Sequence, residues 1–217
     1  MSKVVNYSMA NRGEIMRFLP ALDLSDEESR LLGRMRESAR TRQEGLDAQE
    51  VDWGLSVPDA LDELITGRAD SAEEYAGSAY YAALQIIIDH NASDSTTLAS
   101  YRSPSTLFSA LDDALSAAGV QPDLLPYQYV YSGPPSETGF HVPSPLEGSP
   151  EIGYWPLAKA GPAVESYRAV LDRIDADLRY DLEELIKALD SWYSEWAEGQ
   201  GTWWWAEDGS VFFSITG

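Results

Sequence analysis

A long amphipathic segment in the last third of the chain constrains the fold more than any other feature. Between residues 167 and 196 the apolar side chains recur at steps of three and four, which places them on one face of an α-helix. Gly199 and Gly201 follow this segment, and glycine commonly ends a helix. We therefore expect one long helix beginning at residue 164, with its apolar face packed against a hydrophobic core.

The aromatic segment after this helix predicts a β-hairpin. Residues 202–206 and 211–216 flank a turn whose Asp208-Gly209 pair favours a tight connection. Side chains alternate between the two faces of a strand, so the odd-numbered residues after the turn share one face, which we expect to be core. The other face is either covered by a helix or exposed as an aromatic patch of the kind that binds partners. The residues that we expect to contact a partner are Trp203, Trp205 and Phe212 on this face, and Trp155 from an earlier loop.

Shorter helices and strands are predicted before residue 132. Residues 3–9 alternate in the manner of a strand, and residues 127–131 are rich in the aromatic residues that strands favour. Ser25 and Glu28 have the spacing of a capping box, in which each side chain bonds the other residue's backbone N–H at the start of a helix. Ser71 and Glu74 repeat that spacing. Further helices are expected to begin near residues 12, 56 and 103.

Residues 132–161 contain six prolines, which excludes a regular helix over this span. Large apolar side chains also occur there, and these are rarely left in water. We expect a long ordered loop that lies over the body, with residues 151–155 adding a strand. The whole pattern predicts a single α+β domain over residues 1–217, in which an antiparallel sheet packs against several helices and the long C-terminal helix is followed by an aromatic β-hairpin.

The composition excludes several classes of protein. A chain of 217 residues with 44% hydrophobic content can bury a sizeable core. It has no cysteine, so disulfides, thiolate metal sites and cysteine nucleophiles are excluded. No run reaches the roughly 18 apolar residues of a membrane span, and the first residues lack the pattern of a signal peptide. We expect a cytoplasmic protein that does not interact with membranes.

The net charge of −21 is the most unusual property of the composition, and it is unevenly distributed. Residues 1–50 are nearly balanced, whereas residues 51–150 carry 14 acidic and 2 basic side chains. Such a negative field repels nucleic acid and attracts basic proteins. Either the charge only keeps the protein soluble, or it steers a basic partner to the surface.

The order of these elements resembles that of an uncharacterised bacterial family with a domain of unknown function. The similar features are Tyr131-Ser132-Gly133-Pro134-Pro135, a proline-rich loop that ends at Ile152-Gly153-Tyr154-Trp155, a long helix and a final aromatic strand. More distantly, residues 53–67 and the terminal helix and strand resemble the YfbM-like α+β proteins. The resemblance implies an α+β fold with an antiparallel sheet and an immunity role beside toxins for some relatives. It implies no catalytic residue, and the tryptophan triplet and terminal hairpin depart from the family pattern.

Side chains capable of chemistry occur without the spacing that catalysis requires. His90 and His141 lack the pattern of a metal site, and no serine has the sequence context of a nucleophile. Adjacent acids such as Glu183 and Glu184 arise by chance in so acidic a chain. We expect no catalytic residue, no metal and no cofactor.

Two functions are consistent with the sequence. The first is a non-enzymatic acidic binding protein, such as an immunity or inhibitor protein that engages a basic protein partner. The second is a small-molecule or carbohydrate-binding protein, or a hydrolase, that uses a tryptophan platform and nearby carboxylates. A deep cleft lined by tryptophan and paired carboxylates would favour the second function, and a broad acidic surface the first.

Overall fold

The fold is α+β, with a four-stranded antiparallel sheet between two layers of helices, as a computed structural model of the chain shows. The structure describes residues 2–145, 151–202 and 206–216. The spatial order of the strands is β2-β1-β4-β3. The strands are β1 (Lys3–Asn11), β2 (Thr96–Tyr101), β3 (Glu151–Pro156) and β4 (Gly209–Thr216).

The C-terminal strand β4 lies at the centre of the sheet. It pairs with β1 along one edge and with β3 along the other, and both pairings are antiparallel. The cross-strand neighbours of Phe212 are therefore Ser8 and Tyr154, whereas the sequence predicted Trp205 in that position. Three residues of the predicted first hairpin strand, 203–205, lie outside the described residues.

One helical layer covers the face of the sheet that carries the odd-numbered residues of β1 and β4. It consists of α5 (Pro104–Ala117), α6 (Tyr127–Val130), α7 (Leu157–Val170) and α8 (Ala176–Gly199). Their apolar side chains form one cluster with Val5, Val211 and Phe213. Trp192 joins this cluster with its ring centroid 5.9 Å from that of Phe213, which confirms that the end of the long amphipathic segment and the final strand share a core.

The other helical layer covers the opposite face, which carries Phe212. It consists of α1 (Arg12–Met16), α2 (Asp26–Asp47), α3 (Val57–Ile65) and α4 (Ala76–Asn91). Phe212 forms a cluster with buried residues of these helices and with Ile152. The sequence left open whether the strand face that carries Phe212 is covered by a helix or exposed, and helices cover it. Its neighbours in the strand pack on the other helical layer, because side chains alternate between the two faces of a strand.

Two helix starts, those of α2 and α3, have the side-chain caps that the sequence predicts. Ser25 accepts a hydrogen bond from the backbone N–H of Glu28, and Glu28 accepts one from the backbone N–H of Ser25, which confirms the capping box of α2. Ser56 caps α3 in the same way through the N–H of Asp59. The pair at Ser71 and Glu74 was predicted to start a helix, but α4 begins at Ala76. Ser71 instead accepts from the nearby N–H of Glu73 in a local turn, which competes with capping.

The predicted single C-terminal helix is divided into two. After α7 the chain makes a 3₁₀ turn at Leu171–Arg173 and an extended step at Ile174, and α8 then begins. Arg179 donates to the carbonyl oxygen of Ile174 at 2.9 Å and so bonds an acceptor that the break leaves free. The break contains no glycine or proline, and the apolar residues keep their helical spacing through it. The sequence therefore gave no sign of the break.

Three further segments differ from the expectations. Residues 127–131 were predicted to be a strand, but a helical turn follows Pro126 there, with the rings of Tyr127 and Tyr131 stacked at 4.7 Å. β2 was not predicted at all. The segment predicted as a loop, residues 132–161, contains β3 and the first turn of α7 in its last part. The strand β3 confirms the strand expected near the end of this segment. The earlier part of that loop packs on the body, where Val142 is 5% exposed.

Candidate functional site

Two of the four residues predicted to bind a partner are buried in the core. Trp155 is fully buried and stacks on Tyr129 with ring centroids 4.4 Å apart. Phe212 is 2% exposed and stacks on Tyr154 at 5.8 Å. Neither side chain offers surface to a partner, because each strand that carries it is covered by helices on both faces. The other two predicted residues, Trp203 and Trp205, lie outside the described residues.

The most distinctive concave feature is a cleft of about 280 Å³ between β1, β2, α5 and α8. Its walls carry four aromatic rings, those of Tyr7, Tyr101, Phe108 and Trp192. The ring centroids of Tyr7 and Trp192 lie 4.7 Å apart, and those of Tyr101 and Phe108 lie 6.2 Å apart with nearly perpendicular planes. These contacts hold the walls in place. We call this feature the aromatic cleft.

Helix α8 brings charge to the aromatic cleft. Asp181, Glu184 and Lys187 follow one another at steps of three residues, which places them on neighbouring positions of one helix face. Lys187 donates to a carboxylate oxygen of Glu184 at 2.6 Å, so these two charges compensate each other. Asp181 then remains as the carboxylate of the cleft that has no counter-charge among the residues described by the structure.

Asp181 is half-buried, and burial raises the pKa of its carboxyl group above the ordinary value of 3.8. Burial is the one cause of this shift, and within the described part of the chain the carboxylate has neither a hydrogen-bond donor nor a basic partner. The nearby hydroxyl of Tyr101 is also affected. Its own burial, followed by the charges of Asp181 and Glu184, raises the pKa of Tyr101 to about 12, so this phenol stays protonated at neutral pH.

A desolvated carboxylate beside aromatic rings is suited to holding a cation. The carboxylate supplies the opposite charge, and the faces of the partly exposed rings of Tyr7 and Tyr101 attract cations through their quadrupole. The arrangement does not resemble a pair of catalytic carboxylates, since Glu184 is already engaged by Lys187. The cleft therefore favours binding over chemistry.

The sequence did not identify this site for two reasons. Its outer wall belongs to β2, which was not predicted, and Asp181 lies in the charged part of a helix where carboxylates are usually solvated. The available signal was the position of Asp181 beside Leu182 and Leu185, at the border of the apolar face of α8.

Comparison with known proteins assigns the chain to a family. A family model described as "Domain of unknown function (DUF7691)" matches residues 1–214, which is nearly the whole chain. The chain belongs to the DUF7691 family. No curated protein and no solved structure matches it.

Acidic side chains dominate the surface of this DUF7691 member even after internal pairing. Nine of the 15 lysine and arginine side chains form ion pairs within the described residues. Those pairs engage ten of the 36 carboxylates. Most of the carboxylates are thus left without an ion-pair partner within the described part of the chain.

The described residues of the DUF7691 chain include no cluster of three or more histidine, aspartate or glutamate side chains that could hold a metal ion. His90 shares a hydrogen bond of 2.9 Å with the hydroxyl of Ser38, and its pKa is lowered by burial and by the charge of Arg34. Among the described helices, none combines the length and apolar character that a membrane crossing needs.

Proposed function

We propose that the protein is a non-enzymatic binding protein that engages a basic protein partner, and that a cationic side chain of this partner occupies the aromatic cleft. The observation that carries the proposal is Asp181, a half-buried carboxylate that has no counter-charge among the described residues and lies near Tyr101 in a cleft lined by aromatic rings. Its ionised form is disfavoured in the free protein, and an arginine or lysine side chain would supply the missing charge.

The size of the cleft supports a single side chain as its occupant. Pockets that enclose drug-sized ligands usually measure about 300–1,000 Å³, and this cleft measures about 280 Å³. A guanidinium or ammonium group there gains from the carboxylate and from the ring faces, where a cation–π contact contributes about 0.5–2 kcal/mol. The apolar walls accommodate the methylene groups that carry the charge.

The excess surface charge supports the same type of partner. A net charge of −21 accelerates the encounter with a basic protein and repels acidic ones. An immunity or inhibitor protein that blocks a basic target by occupying it is one form of this function, and it agrees with the immunity role implied by the resemblance described above.

The proposal is tested with an eight-residue peptide in which arginine alternates with valine. A labelled form of this peptide should bind the full chain saturably in fluorescence anisotropy. The same peptide with citrulline in place of arginine keeps the shape and loses the charge, so its affinity should be far lower.

Protein variants then locate the binding site. Asp181→Asn should weaken binding about tenfold, because a hydrogen bond to a charged group contributes about 1.5–3 kcal/mol. The double variant Glu27→Gln/Glu44→Gln on α2 removes more charge from a distant exposed surface and should change the affinity less than Asp181→Asn does. An equal or larger loss in this control would show that the peptide responds to overall charge and not to the cleft. Equal binding of the citrulline peptide, or no saturable binding of the arginine peptide, would refute the proposal.

A small-molecule ligand is the second candidate, and the aromatic cleft itself is the observation that favours it. The sequence associated small-molecule binding with a cleft lined by tryptophan and carboxylates, and the aromatic cleft has both kinds of side chain in its walls. Trp192 is only 2% exposed, however, so its ring provides little stacking surface for a sugar. Saturable quenching of tryptophan fluorescence by free amines or sugars, at concentrations where the arginine peptide does not bind, would favour this candidate.

A further inference from the structure

The strand β2 forms an open edge of the sheet. It pairs with β1 alone, and among the described residues its backbone makes no hydrogen bond outside that pairing. Half of the backbone N–H and C=O groups of an edge strand point away from the sheet, where they can pair with another chain. Thr96, Thr97 and Ser100 are exposed along this strand, so nothing in the described structure covers it.

The opposite edge of the sheet is closed. The N–H of Gly133 donates to the carbonyl oxygen of Ile152 at 2.9 Å, and the N–H of Tyr154 donates to the hydroxyl of Ser132 at 2.9 Å. The turn of α6 also lies directly against Gly153 of β3. Segments of the chain thus cover one edge of the sheet, and no described segment covers the other.

The residues of β2 do little to prevent pairing. Proteins usually protect an open edge with charged side chains, proline or a bulge. β2 has the sequence Thr-Thr-Leu-Ala-Ser-Tyr, without charge and without proline. Its one protective feature is an irregularity in the register at Leu98, and Ala99–Tyr101 beyond it pair regularly with β1.

The open edge and the aromatic cleft are adjacent. Thr97, Leu98 and Tyr101 of β2 line the cleft, so a strand added beside β2 would have alternate side chains directed toward α8. Tyr180 is 69% exposed, the highest value for a large hydrophobic side chain among the described residues, and its hydroxyl acts on the pKa of Tyr101. Exposed tyrosines of this kind commonly anchor interfaces.

We infer that the partner adds an extended basic segment to β2 as a fifth strand and places one cationic side chain of that strand in the aromatic cleft. This inference rests on the proposed function and specifies how the partner is bound. Backbone pairing contributes affinity and the cleft selects the side chain, a division of roles known from other strand-addition complexes.

Charge identifies the occupant as a basic segment and not as a second copy of this chain. Edge-to-edge pairing of two copies would bring two sets of cleft carboxylates together, each copy carrying a net charge of −21. Asp94 before β2 and Arg102 after it carry opposite charges, and Lys187 is paired with Glu184, so Asp181 supplies the remaining negative charge near the edge. A strand with basic side chains on one face complements these groups.

Two N-methylated forms of the arginine–valine peptide test the inference. In a strand, the N–H groups of alternate residues point to opposite edges, so methylation of every arginine nitrogen blocks one edge and methylation of every valine nitrogen blocks the other. The two peptides have the same composition, charge and side chains. They are titrated against the full-length protein, with hydrogen exchange of the β2 amides as a second readout.

The expected result is asymmetric. One methylated peptide should lose at least about tenfold in affinity, which corresponds to about 1.4 kcal/mol, and the other should lose much less. The unmodified peptide should slow hydrogen exchange in β2. Equal affinities of both methylated peptides and of the parent, with unchanged exchange in β2, would overturn strand addition. In that case a continued loss of binding in Asp181→Asn would leave the proposed function intact, whereas an unaffected Asp181→Asn would refute both.

Discussion

Replacing Gly153 by alanine should destabilise the protein through a steric clash at the closed edge of the sheet. A Cβ atom at this position would lie 2.2 Å from the carbonyl oxygens of both Tyr129 and Val130. These are backbone atoms of α6, so no side-chain rotation relieves the contact. Alanine suits a strand better than glycine does, and Gly153 has no left-handed backbone conformation to preserve. The clash is therefore the one unfavourable effect of the change.

The expected magnitude follows from the cost of overpacking. An added methyl group in a tightly packed site costs about 1–3 kcal/mol, and we expect about 3 kcal/mol here because two backbone oxygens are contacted at once. For a chain of this length, 1 kcal/mol corresponds to about 2–4 °C in Tm. Gly153→Ala should thus lower Tm by roughly 6–12 °C.

Gly33→Ala is the matched control. Gly33 lies in α2, is exposed, and has no atom within 4 Å of the position that a Cβ would take. The same change from glycine to alanine should stabilise the protein there by about 1 kcal/mol, because alanine favours the helix. The two substitutions should therefore change the free energy of unfolding in opposite directions, although the chemical change is identical.

Urea unfolding followed by far-UV circular dichroism measures both variants, with the m-value as a check that the same surface is exposed. The reasoning predicts that the midpoint falls for Gly153→Ala and rises for Gly33→Ala. A loss smaller than about 1 kcal/mol at Gly153, or a change of the same sign in both variants, would show that α6 does not pack on β3 as described.

Two further predictions concern the central strand and the aromatic cleft. Phe212→Ala should cost about 3–5 kcal/mol in urea unfolding, since the ring is buried under the second helical layer; a loss below 1 kcal/mol would contradict that burial. Asp181→Asn should raise Tm at pH 7, because the raised pKa of Asp181 means that its ionised form is disfavoured in the folded protein. This gain should shrink in thermal melts as the pH falls through the folded pKa toward 3.8, and a gain that grew on acidification would show that Asp181 has a stabilising partner.

Much of the fold could be predicted because its signals are local. The capping box at Ser25 and Glu28 depends on two side chains and the backbone within one turn, so its spacing in the sequence sufficed. Alternation in the final strand separated Phe212 from Phe213, and the two residues do pack on opposite helical layers.

The errors arose where distant contacts override local preference. Residues 127–131 have the composition of a strand, yet they form a helical turn against Gly153, which is distant in the chain. The break between α7 and α8 is a separate case, because it has no glycine or proline and Arg179 stabilises it through the nearby carbonyl oxygens of Asp172 and Ile174, which the spacing of apolar residues does not reveal. Local patterns contain no information on such contacts.

The candidate site was the least predictable part of the molecule. The sequence indicates a binding site made of aromatic residues and carboxylates. Two of the residues that it predicts to bind a partner, Trp155 and Phe212, are buried in the structure. The aromatic cleft combines Tyr7, Tyr101 and Trp192 with Asp181, from three regions of the chain. Which of many tyrosines and carboxylates meet is decided by the pairing of β1 with β2 and by the packing of α8 on the sheet.

The sequence by itself determined the class of fold, the division of its final strand into two faces and the negative sign of the net charge. Each of these three features depends on short-range periodicity or on a sum of charges. None of them requires knowledge of which residues are neighbours in the folded chain. Tertiary structure alone decided that β4 lies at the centre, that the described segments close one sheet edge and not the β2 edge, and that none of the described residues gives Asp181 a counter-charge. These features depend on which backbone groups and side chains meet across long separations in the chain, where packing and desolvation are set by the whole fold.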